Sequence, residues 1–195
     1  MAMWSSLSHT STYANPLYYA HNLYLNGELV TELVIPNTVT SIGKSAFSHC
    51  TSLTNVIVPN SVTNIDAYAF RDCSNLTSAT IGNNVTLIGQ NAFRDCNNLT
   101  SVTIGSKVTE INSEAFKNCI NLNAVYITDI AAWCDIWFQS SEANPLYHAH
   151  NLYLNGELAT ELVIPSNVLR ISSNVFEGCN SLMSVDIREG VRSIY

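Results

Sequence analysis

The sequence predicts a solenoid. Short coils of chain stack on one another, and one strand from each coil joins a single parallel β-sheet on the concave face. The convex side carries short helical or 3₁₀ turns, and an irregular aromatic insert contains a β-hairpin. Three observations carry this. Apolar positions return every 23 residues: Phe47, Phe70, Phe93 and Phe116 keep step with Cys50, Cys73, Cys96 and Cys119, and with Ile42, Ile65, Ile88 and Ile111. A longer period of 129 residues overlies the first, for 14–42 returns as 143–171 with 23 of 29 positions identical. Asn-Gly stands between apolar alternations at 26–27 and again at 155–156, the strongest short-range hairpin signal. A fixed period of roughly 20–50 residues marks a solenoid, because one unit cannot bury its own apolar face and must stack on copies of itself.

Each element follows from residue types. Leu53, Val56 and Val58 alternate as in a short strand with one buried face. Pro59-Asn60, or Gly82-Asn83-Asn84 one coil later, is turn chemistry. Ala69 and Phe70 lie three or four residues from Ile65 and Cys73, which suits a single helical or 3₁₀ turn. Seven strands, ending near residues 36, 59, 82, 105, 128, 165 and 188, are expected to form one parallel sheet. The 129-residue unit holds four regular coils and one expanded by 14 residues. In that coil Trp133, Trp137 and Phe138 are expected in a short helix that covers a gap in the stack, or alternatively forms a pocket rim. Residues 1–195 are therefore read as one segment of a longer array, with the expanded coil at about 128–164 and a partial copy at 1–35, in which Trp4 answers Trp133. Its open ends are expected to stack end to end on other copies.

Composition narrows the function. Only 12% of residues are charged against 47% apolar, and the net charge is −7 with no basic cluster. That disfavours nucleic acid, whose affinity rests on many cationic contacts to phosphate, and an anionic membrane surface. No apolar run reaches the roughly 18 residues of a membrane span. The N-terminal residues lack a basic start and an apolar stretch, so any export signal is expected outside this chain. Five of six cysteines (Cys50, Cys73, Cys96, Cys119 and Cys179) hold one repeat position, which reads as a stacked column of small buried hydrophobes. Parallel side chains about 4.8 Å apart are wider than the roughly 3.8 Å between Cβ atoms that a disulfide prefers, so reduced thiols are expected.

Candidate chemistry is sparse. Gly43-Lys44-Ser45 has Thr38 where a phosphate loop needs glycine. His148 and His150 could present two imidazoles to a metal, but Tyr19 stands at the equivalent of His148 and no third ligand is evident. His49 and Cys50 are adjacent, yet Cys50 belongs to the buried column, where thiols are inert. Asp72 and Asp95 are assigned to the outer turn. Asn75, Asn84 and Asn98 open sequons that matter only in a eukaryotic secretory route. No cofactor or catalytic residue is expected.

The pattern Ile-x₃-Ala-Phe-x₂-Cys-x₂-Leu-x₂-Val-x-Ile-Pro-x₂-Val, over 30–127 and 159–194, resembles the BspA-like leucine-rich repeats of bacterial and protozoan surface proteins. Gly82 and Gly105 replace the usual proline, and Ala79 a valine. The resemblance implies a curved leucine-rich repeat solenoid at the cell surface or secreted, and adhesion to host matrix, host cells or other microbes. The remaining candidate site is a surface: Asn55, Ile57, Ser78, Thr80, Ser101, Thr103, Tyr126 and Thr128 alternate with the buried positions and point to the concave face. The same rows are expected to include Ala124 and to run on through Glu161, Val163, Ser184 and Asp186. Concave solenoid faces take extended partners, so the leading expectation is a non-enzymatic module for protein or glycan partners, with Tyr126 as anchor. The alternative is a structural spacer, with serine and threonine present for β propensity alone.

Overall fold

The computed structural model describes residues 14–195, so Trp4 lies outside the described residues. Two parallel ladders form the framework. The long one runs Glu32–Val34, Asn55–Val58, Ser78–Ile81, Ser101–Thr103, Ala124–Ile127 and Leu152–Leu154, with every neighbouring pair parallel. Glu157–Leu158 closes its end antiparallel. The short ladder runs Ser41–Ile42, Asn64–Ile65, Leu87–Ile88, Glu110–Ile111 and Trp137–Phe138. Between ladders the chain bends on i→i+3 turns: the Val62 amide donates to the Pro59 carbonyl at 3.1 Å, and Val85 to Gly82 at 3.2 Å.

The 23-residue period becomes columns in the core. The rings of Phe47, Phe70, Phe93 and Phe116 stack at 5.4, 5.1 and 5.3 Å, within 13° of parallel. Those spacings match the distance between neighbouring strands. Ile42, Ile65, Ile88 and Ile111 are all fully buried, as are Leu53, Leu76 and Leu99. All six cysteines are free. The thiols of Cys73, Cys96 and Cys119 donate to the carbonyls of Phe47, Phe70 and Phe93, each at 3.2 Å, so each points to backbone and not to the next thiol.

The surface composition has the same origin. The hydroxyls of Thr54, Thr77 and Thr100 donate to carbonyls of Thr31, Thr54 and Thr77, at 3.1, 2.8 and 2.9 Å. Thr63, Thr86 and Thr109 do likewise on another corner. Asn75 and Asn121 donate to carbonyls of Thr51 and Asn97. Small polar side chains thus add a second hydrogen bond at corner carbonyls of the preceding coil, a donation that an ionised glutamate cannot make.

Three expectations need correction. The single seven-strand sheet is broken. Leu152–Leu154, not Glu161–Ile164, lies beside Ala124–Ile127, because the expanded coil sends the first arm of its hairpin into that place and the second arm covers the edge. Glu161–Ile164 then starts a new parallel pair with Ser184–Ile187, and Arg170–Ile171 another with Ser193–Ile194. The convex segment is a turn, but not a helical or 3₁₀ one. Amides alternate there: Ala46, Ser48 and Cys50 bond three residues back, whereas Ser45, Phe47 and His49 bond to the next coil at 2.7–3.0 Å. Left-handed residues at Ser45 and His49, repeated at Tyr68 and Asp72, Asn91 and Asp95, produce that alternation. Finally, Trp137 and Phe138 lie outside the predicted helix. The helix Ile130–Cys134 begins on Asp129, whose carboxylate accepts from the Ala131 and Ala132 amides. It ends at Cys134, and Trp137–Phe138 extends the short ladder beside Glu110–Ile111. Trp133 is buried and its indole donates to the Val175 carbonyl at 3.1 Å, which ties the insert to the coil that follows it.

Candidate functional site

Strand alternation in the long ladder drives Val56, Val58, Ala79, Ile81 and Val102 inward and leaves their neighbours outward. The structure brings the predicted residues together on that outward face. Glu32, Asn55, Ser78 and Ser101 form one row in register, and Val34, Ile57, Thr80, Thr103 and Tyr126 the next. Ser78 donates to the Asn55 side-chain oxygen at 2.8 Å. Thr128 lies just past its strand and is exposed. Ala124, expected in the first row, is buried at 5% exposure. Glu161, Val163, Ser184 and Asp186 do not continue these rows but form their own pair of strands.

Tyr126 is not a lone anchor. Its ring lies 4.8 Å from that of Tyr153, tilted by 30°, because Tyr153 of the hairpin arm pairs directly with it. Tyr153 was missed by sequence reasoning. The alternation of Leu152, Tyr153 and Leu154 would have found it once that arm was set beside Ala124–Ile127. Beyond the other edge of the face, the hairpin Tyr24–Leu25 and Glu28–Leu29 borders a groove of about 530 Å³ lined in part by Leu25, Leu29, Val34 and Pro36.

The convex side is occupied by paired charges. His49 meets Asp72 at 3.4 Å, and Arg71 meets Asp72 and Asp95 at 3.1 and 3.8 Å. Arg94 bridges Asp95 and Glu114, and Lys117 bridges Glu114 and Glu142. Asp72 and Asp95 therefore do serve the outer turn. Burial holds the His49 imidazole below its ordinary value despite Asp72, and raises the Asp72 carboxyl.

The remaining candidates do not assemble chemistry. Cys50 is fully buried, its thiol pushed up by burial and 3.5 Å from the Ser52 hydroxyl, while His49 faces Asp72. Burial carries Cys119 and Cys134 to about 12, far from the thiolate that a nucleophile needs. The two insert histidines have different surroundings. His150 Nδ1 sits 2.8 Å from the Gly178 carbonyl, and burial lowers His148. Among the described residues, no group of three or more His, Cys, Asp or Glu could hold a metal ion. A cavity of about 430 Å³ between Ala131, Ala132 and Asn167–Arg170 is bordered by the exposed Asp135–Arg170 ion pair, with no aromatic rim. Among the described residues, no helix is long and apolar enough to cross a membrane.

Comparison with known proteins gives a consistent picture. A family described as "BspA type Leucine rich repeat region" matches in six copies over residues 20–143 and 150–195. No curated protein matches the chain. Among solved structures, a leucine-rich repeat protein from Bacteroides ovatus is 17% identical. It is matched over 84% of this chain and 44% of its own, with a TM-score of 0.51. A leucine-rich repeat protein from T. pallidum is 23% identical over 84% of this chain and 59% of its own, with a TM-score of 0.49. The chain thus spans about half the length of these structures. At such identities the likeness concerns the fold alone.

Proposed function

The chain belongs to the BspA-type leucine-rich repeat family, and from that premise we propose that it is a non-enzymatic recognition module at the cell surface, binding protein or glycan partners through the outward face of the long ladder. One contrast supports this reading above all. At the corners six threonines are spent on hydrogen bonds to the preceding coil, and on the convex side most charges are paired. In the row Val34, Ile57, Thr80, Thr103, Tyr126 and Tyr153, no side chain is engaged in a hydrogen bond among the described residues. Val34 and Ile57 are 61% and 39% exposed. Two half-exposed tyrosines, Tyr126 and Tyr153, lie together at one end of that row beside Thr103, and tyrosine is among the side chains that dominate interface energies.

The spacer reading also has an observation behind it, since the threonine ladders and the phenylalanine stack build a rod without any partner. Binding measurements separate the two. The double variant Tyr126→Ala with Ile57→Ser is assayed by interferometry against a matrix or mucosal protein captured by the wild-type chain. At least a tenfold loss is expected, on the scale of a removed aromatic anchor, while the melting temperature falls by only about 2–6 °C for the lost Tyr126–Tyr153 pair. Unchanged binding would favour the spacer.

A further inference from the structure

The two hairpins are the most faithfully repeated part of the chain. Between 20–36 and 149–165 only Val30 and Ala159 differ, whereas four substitutions crowd into 37–41 against 166–170. Their turns coincide: Asn26 and Gly27 at φ 53° and 86°, Asn155 and Gly156 at 53° and 88°. The repetition includes side chains that the fold leaves in water. Leu29 and Val34 are 46% and 61% exposed, and their counterparts Leu158 and Val163 are 43% and 51%. Neighbours differ, with Ile57 beside Val34 and Asp186 beside Val163, so local packing does not impose the match. Exposed apolar side chains gathered around a groove mark an interaction site.

Charge selects the partner. Glu28 and Glu32 line the first groove, and Glu157 and Glu161 occupy the same places in the second copy. All four are exposed, and among the described residues none forms an ion pair, unlike Asp72, Asp95, Glu114 and Glu142 of the convex ladder. No lysine or arginine occurs before Lys44, nor between Lys117 and Arg170. The first hairpin therefore offers an apolar floor beside two carboxylates that form no ion pair among the described residues, in a chain of net charge −7, and the second copy repeats those residues.

We propose that each hairpin groove docks an extended protein segment, seating an apolar side chain between Leu29 and Val34 while flanking lysine or arginine side chains meet Glu28 and Glu32, and that Leu158, Val163, Glu157 and Glu161 repeat this in the second copy. This rests on reading the outward face as a recognition surface, and it names the partner's chemistry. Two equivalent sites on one chain favour a partner in which the segment recurs, since the second contact is then intramolecular.

The probe is a ten-residue peptide centred on Lys-Leu-Lys, titrated at low salt into the ¹⁵N-labelled chain, beside Glu-Leu-Glu and Lys-Ser-Lys controls. Saturable shifts are expected at 25–34 and 154–163 with the first peptide only. Glu28→Gln with Glu32→Gln should weaken the first site roughly fivefold, the scale of two exposed ion pairs, and leave the second unchanged. These glutamates are exposed, so the fold should survive, as far-UV dichroism would register. Shifts elsewhere, equal response to either control, or response to a neutral oligosaccharide but not to the peptide would overturn the proposal. If a captured partner is lost by the Tyr126→Ala/Ile57→Ser variant but not by a variant in which Glu28, Glu32, Glu157 and Glu161 are all changed to glutamine, the face reading stands and the groove proposal falls.

Discussion

Replacing Phe93 by alanine removes the middle of the phenylalanine column. Its ring is fully buried and has a parallel neighbour on both faces, Phe70 at 5.1 Å and Phe116 at 5.3 Å. Truncating a buried phenylalanine costs about 3–5 kcal/mol, and each aromatic pair adds roughly 0.5–1.5 kcal/mol beyond area burial. With two pairs lost and neighbours held by backbone bonds on both sides, collapse into the void is limited, so the cost belongs near the upper end, about 5 kcal/mol. For a chain of this length that is a fall in melting temperature of about 10–20 °C. Phe47→Ala is the internal control, because Phe47 has one stacked phenylalanine neighbour (Phe70), and it should cost about 1 kcal/mol less. Thermal and urea unfolding, followed by far-UV dichroism and by tryptophan fluorescence, give both values. Amide exchange should accelerate most around 69–73 and 92–96. A loss below about 1 kcal/mol, or a larger cost at Phe47 than at Phe93, would refute the stacked-column account.

Gly105→Ala should destabilise by roughly 1–3 kcal/mol, because an added Cβ would overlap the Gly82 carbonyl; melting temperature measures it. In native protein at pH 8 the five buried cysteines should resist a thiol reagent, with half-buried Cys179 reacting first and all six reacting in denaturant. The same burial fixes a pH dependence. The five buried thiols titrate above their unfolded value of 9.0, Cys119 at about 12, so their contribution is complete below pH 9 and is lost as pH rises toward 12. Urea midpoints should fall across that window; a flat profile would contradict it. Asp95→Asn keeps a residue tolerant of the left-handed φ of 61° but removes the charge facing Arg71 and Arg94. A loss of about 0.5–1 kcal/mol that shrinks in 1 M salt is expected from denaturation at two ionic strengths.

The columns were legible because a repeated side chain in a repeated backbone must meet its own copy, as Phe70 meets Phe93. The hairpins were legible from Asn-Gly, and the outward placement of seven of the eight face residues, all but Thr128, from alternation within each strand. The break in the sheet was not, because Leu152-Tyr153-Leu154 and Leu162-Val163-Ile164 present the same alternation. Only packing of the expanded coil chooses between them beside Val125. The convex turn misled for a different reason. Spacing of three and four between Ile65, Ala69, Phe70 and Cys73 fits a helix, and non-glycine residues such as Tyr68 give no warning of a left-handed backbone, which costs roughly 1–2 kcal/mol per residue. Here bonds to the next coil offset it, as from the Tyr68 amide to Gln90 at 2.9 Å. Tyr153 followed from the same choice of strand and was missed with it.

Hydroxyl-radical footprinting of the chain alone and bound to a captured surface protein tests the functional account most directly, since it reads side chains and not amides. Oxidation of Tyr126, Tyr153, Ile57 and Val34 should fall on binding, while Ile120 and Leu169, exposed at 68% and 57% away from the long ladder, should stay unchanged. Protection at Ile120 and Leu169 with the two tyrosines and Ile57 still reactive would contradict it.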